Sequence, residues 1–265
     1  MTNVSTPPGD SQGPPARARH TDRRSFFKWI GAGLGSTAFL SGFGLIGEFA
    51  DAEFPFDTGT TGPVTIDFSN DFGVVNYAFA LEQLEAAFYA RAVATPFDGI
   101  TNEEMRVLRD LRNHEIIHRE FYRQGIPVLG GTAIPALTFD FSTIDFSSRA
   151  VVLETARVFE DLGVAAYNGA GPLLSSPDIL TVAGKIVSVE ARHAAAIRDL
   201  LEPVSPFSIG EDDSVELDGI GMGAAARDVI DANGLDRAFN PSDVLAAAAP
   251  FVVNPISVTG LPDGL

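Results

Sequence analysis

The chain contains no cysteine. Disulfides, thiolate metal sites and cysteine nucleophiles are therefore excluded. Lysine is almost absent, at Lys28 and Lys185 only, and Lys+Arg total 18 against 35 Asp+Glu, a net charge of -17. A nucleic-acid partner is excluded on this balance, because phosphate contacts need a basic face. Histidine is also scarce, with four in 265 residues. What is plentiful is apolar: 45% of the chain is hydrophobic and Phe occurs 20 times, which places it among globular proteins.

The first 22 residues are rich in Pro, Gly, Ser and Thr, a composition that does not support a packed core. "DRRSFFKW" (22–29) follows, then the Gly-rich apolar run "IGAGLGSTAFLSGFGLIGEF" and the small residues Ala50 to Ala52. That order resembles a twin-arginine export signal with a cleavage site. It implies the export machinery as a partner and an extracytoplasmic location, with a membrane anchor if the signal is retained.

Helical periodicity then predicts four long segments, at about 71–94, 102–124, 147–170 and 177–201. The second opens on a capping box, Thr101 to Glu104, and is expected to stop at Gly125. The third is expected to end in the glycines 169 and 171, and the fourth opens on Ser176-Pro177. The loops within the pairs are short and the connection between the pairs, about 125–146, is long. The expectation is an all-α fold: a four-helix bundle with one long crossover, plus an N-terminal signal helix and an irregular C-terminal extension. The corresponding domains are 1–52, 53–202 and 203–265, with short helices in the tail at about 222–233 and 241–248.

Two of the four histidines lie in "NHEIIHREF" (113–121). Read as H-E-x-x-H, this is a zinc-protease helix with ligands His114 and His118 and base Glu115. That reading needs a third ligand and leaves a second motif unexplained. "HEIIH" (114–118) aligns with "VEARH" (189–193), placing Glu115 on Glu190 and His118 on His193. "LEQLEAAFY" (81–89) aligns with "FEDLGVAAY" (159–167), placing Glu82 on Glu160 and Tyr89 on Tyr167. Each half is therefore a helix with one Glu followed by a helix with Glu-x-x-His, whose two side chains share one face a turn apart. Four carboxylates and two imidazoles suit a pair of iron or manganese ions.

On these residues the chain resembles the ferritin-like superfamily, and more narrowly the exported ferritin-like domain proteins that include desiccation-related proteins. The likeness covers roughly 70–202, with a weaker echo at 239–252. It implies a bundle with metals in its middle and carries over Glu82, Glu115, His118, Glu160, Glu190 and His193 as ligands, with two iron or two manganese ions as cofactors. Glu85, one turn after Glu82, is an alternative first-helix ligand, but the repeat sets it against Gly163 and favours Glu82. Tyr89 and Tyr167 read equally as core tyrosines or as groups supporting the site. His114 reads as a surface or supporting residue, and Asp110, Asp161 and Asp199 are candidates to hold the far nitrogens of the ligand histidines. The functional expectation is iron oxidation or peroxide handling. The alternative is a structural stress protein on the same scaffold without catalytic metal. A manganese catalase-like enzyme would use one carboxylate fewer. A homodimer through a bundle face is compatible with the pattern, whereas the signal, the Phe-rich crossover and the long tail argue against a cage subunit.

Overall fold

The computed structural model describes residues 59, 61–201, 214–215, 227–228 and 234–262. The twin-arginine segment lies outside them. Four long helices carry the fold: α1 (Asp71–Ala94), α2 (Asn102–Val128), α3 (Arg149–Ala170) and α4 (Pro177–Leu201). The all-α bundle expected from periodicity is present, with α1 packed on α2 and α3 on α4 as two hairpins.

Each helix begins where its side chains can satisfy the free N–H groups of the first turn. Asn70 accepts from Phe72 N, Ser148 accepts from Val151 N, and Thr101 and Glu104 form the reciprocal capping box. The seams of α2 and α4 are periodic. Leu108, Leu111, Glu115, Tyr122 and Ile126 are buried on α2, and Val182, Ile186, Glu190, His193 and Ile197 on α4. The ligand candidates thus occupy positions that helical spacing reserves for the core.

The end of α2 differs from expectation. Gly125 does not stop it; the helix runs through Pro127 to Val128. The stop is Gly130, at φ 90°, with Gly131 N donating to Ile126 O and Gly130 N to Pro127 O. This is a Schellman closure, which needs a left-handed residue one position beyond the cap. Helix α3 ends at Ala170, as expected, with Gly171 as its cap and a 3-10 turn at Gly171–Leu173.

The crossover is held along its length by α1. Asn76 accepts from Ile134 N and donates to Thr132 O, and Gln83, two turns on, accepts from Leu137 N. The described part of the tail lies on the bundle. Helix α5 (Pro241–Ala248) packs on α3, and strand β4 (Ile256–Thr259) pairs in parallel with β1 (Val64–Asp67). Buried Asn254 joins the segments, accepting from Thr138 N and donating to Gly62 O. The tail helix expected at 222–233 is not borne out where it is described. Arg227–Asp228 (β3) pair as a strand with Ser214–Val215 (β2), and most of that stretch lies outside the described residues. Among the described residues no helix is long and apolar enough to cross a membrane.

Gly169 is inside α3 because the tail approaches it. Phe239 N donates to Ala165 O, and a Cβ at 169 would lie 1.8 Å from Phe239 O. Gly169→Ala should lower the unfolding free energy by about 2–4 kcal/mol and expose 234–262 to protease. Gly184→Ala, on open surface of α4, should instead stabilise by about 0.5–1 kcal/mol. Chemical denaturation of both variants reads the two signs.

Candidate metal centre

The structure brings all six sequence-derived candidates together in the bundle interior. Glu82 (α1), Glu115 (α2), Glu160 (α3) and Glu190 (α4) are each 0% exposed, and His193 is 3% exposed. Their donor atoms form two overlapping groups. Glu82, Glu115, His118 and Glu190 each place one atom within 4.8 Å of the others, and so do Glu115, Glu160, Glu190 and His193. Glu115 and Glu190 belong to both.

The orientation of single oxygens is informative. Tyr167 on α3 donates to Glu82 Oε1, and Tyr89 on α1 donates to Glu160 Oε1 at 2.6 Å. Each tyrosine crosses to the glutamate of the other half, so the internal repeat extends to these bonds. The remaining oxygens, Oε2 of Glu82 and of Glu160, have no hydrogen-bond partner, nor does either oxygen of Glu115 or Glu190, nor Nδ1 of His118 or His193. These atoms are nevertheless close. His193 Nδ1 lies 2.7 Å from Glu115 Oε1, and His118 Nδ1 lies 2.9 Å from Glu190 Oε1. They converge on common points rather than on one another. Buried carboxylates without partners are costly, and a cation at each point of convergence would satisfy them.

The electrostatics point the same way. Burial pushes Glu82 up to about 8, a rise that His118 opposes and the charge of Glu190 assists. Burial likewise pushes Glu160 up to about 8 against the pull of His193. Burial would also raise Glu115, but His118 and His193 outweigh it and hold it at about 2. Burial would lower both histidines, yet the surrounding carboxylates hold His118 far above its ordinary value and push His193 up to about 12.

The far nitrogen of His193 contacts His114, not an aspartate: His114 Nδ1 lies 2.8 Å from His193 Nε2, with the rings stacked. The carboxylates at its Nδ1 hold His193 as an imidazolium, so its Nε2 also carries a proton and donates to His114. This corrects the expectation that Asp110, Asp161 or Asp199 holds that nitrogen. Asp161 pairs with Arg198 instead, because it faces the α3–α4 seam. The protease reading gains no support among the described residues, since His114 joins neither donor group.

Glu85 is buried but belongs to neither donor group. Its carboxyl lies against Gly163, where a Cβ would come 2.9 Å from Oε1. Burial, with the surrounding glutamates, raises it well above the ordinary value. Sequence reasoning missed Tyr122, whose hydroxyl lies 2.9 Å from that of Tyr167. The signal was available, for Tyr122 follows Glu115 by two helical turns on the buried seam of α2.

The ferritin-like domain model matches residues 70–203, a span that takes in all four long helices and the centre. The chain belongs to the ferritin-like domain family. No curated protein matches it. A ferritin-like bundle with a buried Glu/His cluster compatible with a metal site is therefore established for this chain.

Proposed function

We propose that this ferritin-like protein is an exported di-metal carboxylate protein that oxidises iron(II) or consumes peroxide. Glu82 and His118 would hold one ion, Glu160 and His193 the other, and Glu115 and Glu190 both. The observation that carries this reading is the sharing of Glu115 and Glu190 between two four-residue donor groups. Iron or manganese suits a set of mixed carboxylate and imidazole donors without thiolate. The twin-arginine segment supports export.

A bound iron pair would supply two electrons, reducing dioxygen and two protons to hydrogen peroxide, or hydrogen peroxide and two protons to two waters. The chain's own residues prepare the site for that change of charge. Tyr89 and Tyr167 each fix one oxygen of a terminal glutamate and leave the other turned inward. Glu115 and Glu190 have both oxygens free of hydrogen bonds and would be available to either ion. His114 fixes the tautomer and ring plane of His193. The enclosing core keeps bulk water from the carboxylates.

Anaerobic loading with iron(II), followed by dioxygen or by peroxide, tests the reading. Oxidised iron should appear at an absorbance rise in the near ultraviolet, with about two iron ions per chain. A loaded chain that oxidises iron with neither oxidant, yet unfolds at higher temperature than the metal-free chain, would instead support a structural stress protein. Two manganese per chain with dismutation of peroxide would favour a catalase-like activity.

A further inference from the structure

The two ends of the bundle are filled differently. At the end where α1 finishes, Phe88 packs on Phe159 at 5.1 Å and on Phe146 at 5.9 Å, and Phe251 from the tail closes on Phe159 at 5.2 Å. Tyr89 and Glu160 lie behind that plug. At the opposite end a cavity of about 40 Å³ is lined by Tyr77, Ala78, Leu81, Tyr122, Tyr167 and Val182. Its rim carries Leu129, 39% exposed, and the half-buried Leu174. Its inner wall is Tyr167, the residue that donates to Glu82.

We propose that this cavity is the route by which dioxygen reaches the Glu82–His118 half of the centre; the proposal rests on the oxidation reading above. A cavity of this size has room for about three water-sized molecules, which suits a diatomic gas. The walls are almost wholly carbon, and an ion would lose its hydration there without compensation. Peroxide is poorly served as well. Tyr167 has committed its proton to Glu82, so Tyr122 donates to Tyr167, and only the Tyr77 hydroxyl is without a partner. A molecule with two hydroxyls would leave most of its hydrogen bonds unmade, whereas dioxygen has none to lose. The repeat breaks at this point too. Tyr122 stands where the other half has Ile197, so only the Glu82 half combines a hydroxyl pair with an apolar approach.

The test uses the full chain. Crystals of the metal-free protein under xenon pressure should show xenon between Tyr77 and Val182. Val182→Phe should abolish that xenon site and slow oxidation of bound iron(II) by dissolved dioxygen tenfold or more, with metal stoichiometry unchanged. Val182→Ala, which widens the cavity, should keep the xenon site and oxidise at the wild-type rate or faster. A cavity that takes no xenon overturns the route, as does Val182→Phe protein that oxidises iron at the wild-type rate. Slowing of the peroxide reaction alone would overturn the assignment to dioxygen. Wild-type protein that oxidises no iron would defeat the functional reading and the route together, whereas wild-type oxidation with an unimpaired Val182→Phe variant defeats only the route.

Discussion

Glu115→Ala and Glu190→Ala should each leave the chain with almost no bound metal, whereas Glu82→Ala and Glu160→Ala should each leave about one ion. The difference follows from which oxygens face the centre. Glu82 and Glu160 each spend one oxygen on a tyrosine and belong to a single donor group. Glu115 and Glu190 spend neither oxygen and belong to both groups. Removing a shared carboxylate takes a donor and a negative charge from both positions. It also leaves the two cations less screened from each other at short range, where repulsion in a buried site is large. Removing a terminal carboxylate costs one position a donor and leaves the other with its full set. Elemental analysis of purified variants, loaded with excess iron or manganese and desalted, decides the matter. Equal losses in all four variants would mean that the two groups do not act as a shared pair. Circular dichroism of each variant separates loss of metal from loss of the fold, since removing one partner of a buried pair leaves the other charge uncompensated.

Metal binding at pH 7 should release about four protons per pair, and affinity should climb steeply with pH. In the metal-free chain, burial keeps Glu82 and Glu160 protonated up to about 8, and the carboxylates keep His118 and His193 protonated well above neutrality. Ligation displaces these two carboxyl protons and two imidazolium protons. The same shifts set how stability varies with pH. Glu82 and Glu160 hold protons in the folded chain that the unfolded chain releases near 4.5, so the metal-free fold loses stability as pH rises from about 4.5 to 8. The raised histidines act in the same direction: their contribution is complete below 6.5 and is lost as pH rises through the folded value, about 12 for His193. Glu115 acts oppositely, since its contribution is present above 4.5 and is lost as pH falls towards 2. Metal-free protein should therefore be most stable near pH 5, with a melting temperature lower by roughly 10 °C at pH 8.5. Loaded protein should become more stable over that interval, because rising pH removes the protons that compete with metal. Thermal unfolding of both forms, with a pH-stat titration of metal into weakly buffered protein, measures the slopes and the proton count. Release of two protons or fewer would show that the four groups are not all protonated before metal arrives.

Much of the centre was legible because a helix imposes a fixed spacing. Glu-x-x-His can only place its two side chains on one face, and two copies in matched halves leave few ways to arrange four helices. The limits of α1 followed from apolar periodicity and the start of α4 from Ser176-Pro177, for the same local reason. The stop of α2 did not, because Gly125 is tolerated in a helix and the left-handed closure belongs to Gly130. The aspartates expected to hold the far nitrogen of His193 failed on direction. Sequence distance says that Asp161 is near His193 after folding, but only packing shows that it turns to Arg198 while His114 meets the far nitrogen of His193.

By itself the sequence determined the four-helix bundle, the six candidate ligands and the preference for Glu82 over Glu85, because periodicity and the internal repeat are properties of one helix at a time. Tertiary structure alone decided which carboxylates belong to both donor groups, which tyrosine anchors which glutamate, and which end of the bundle is plugged by phenylalanine. Those features depend on side chains from different helices meeting at particular atoms, and no spacing along one chain encodes the contact between two.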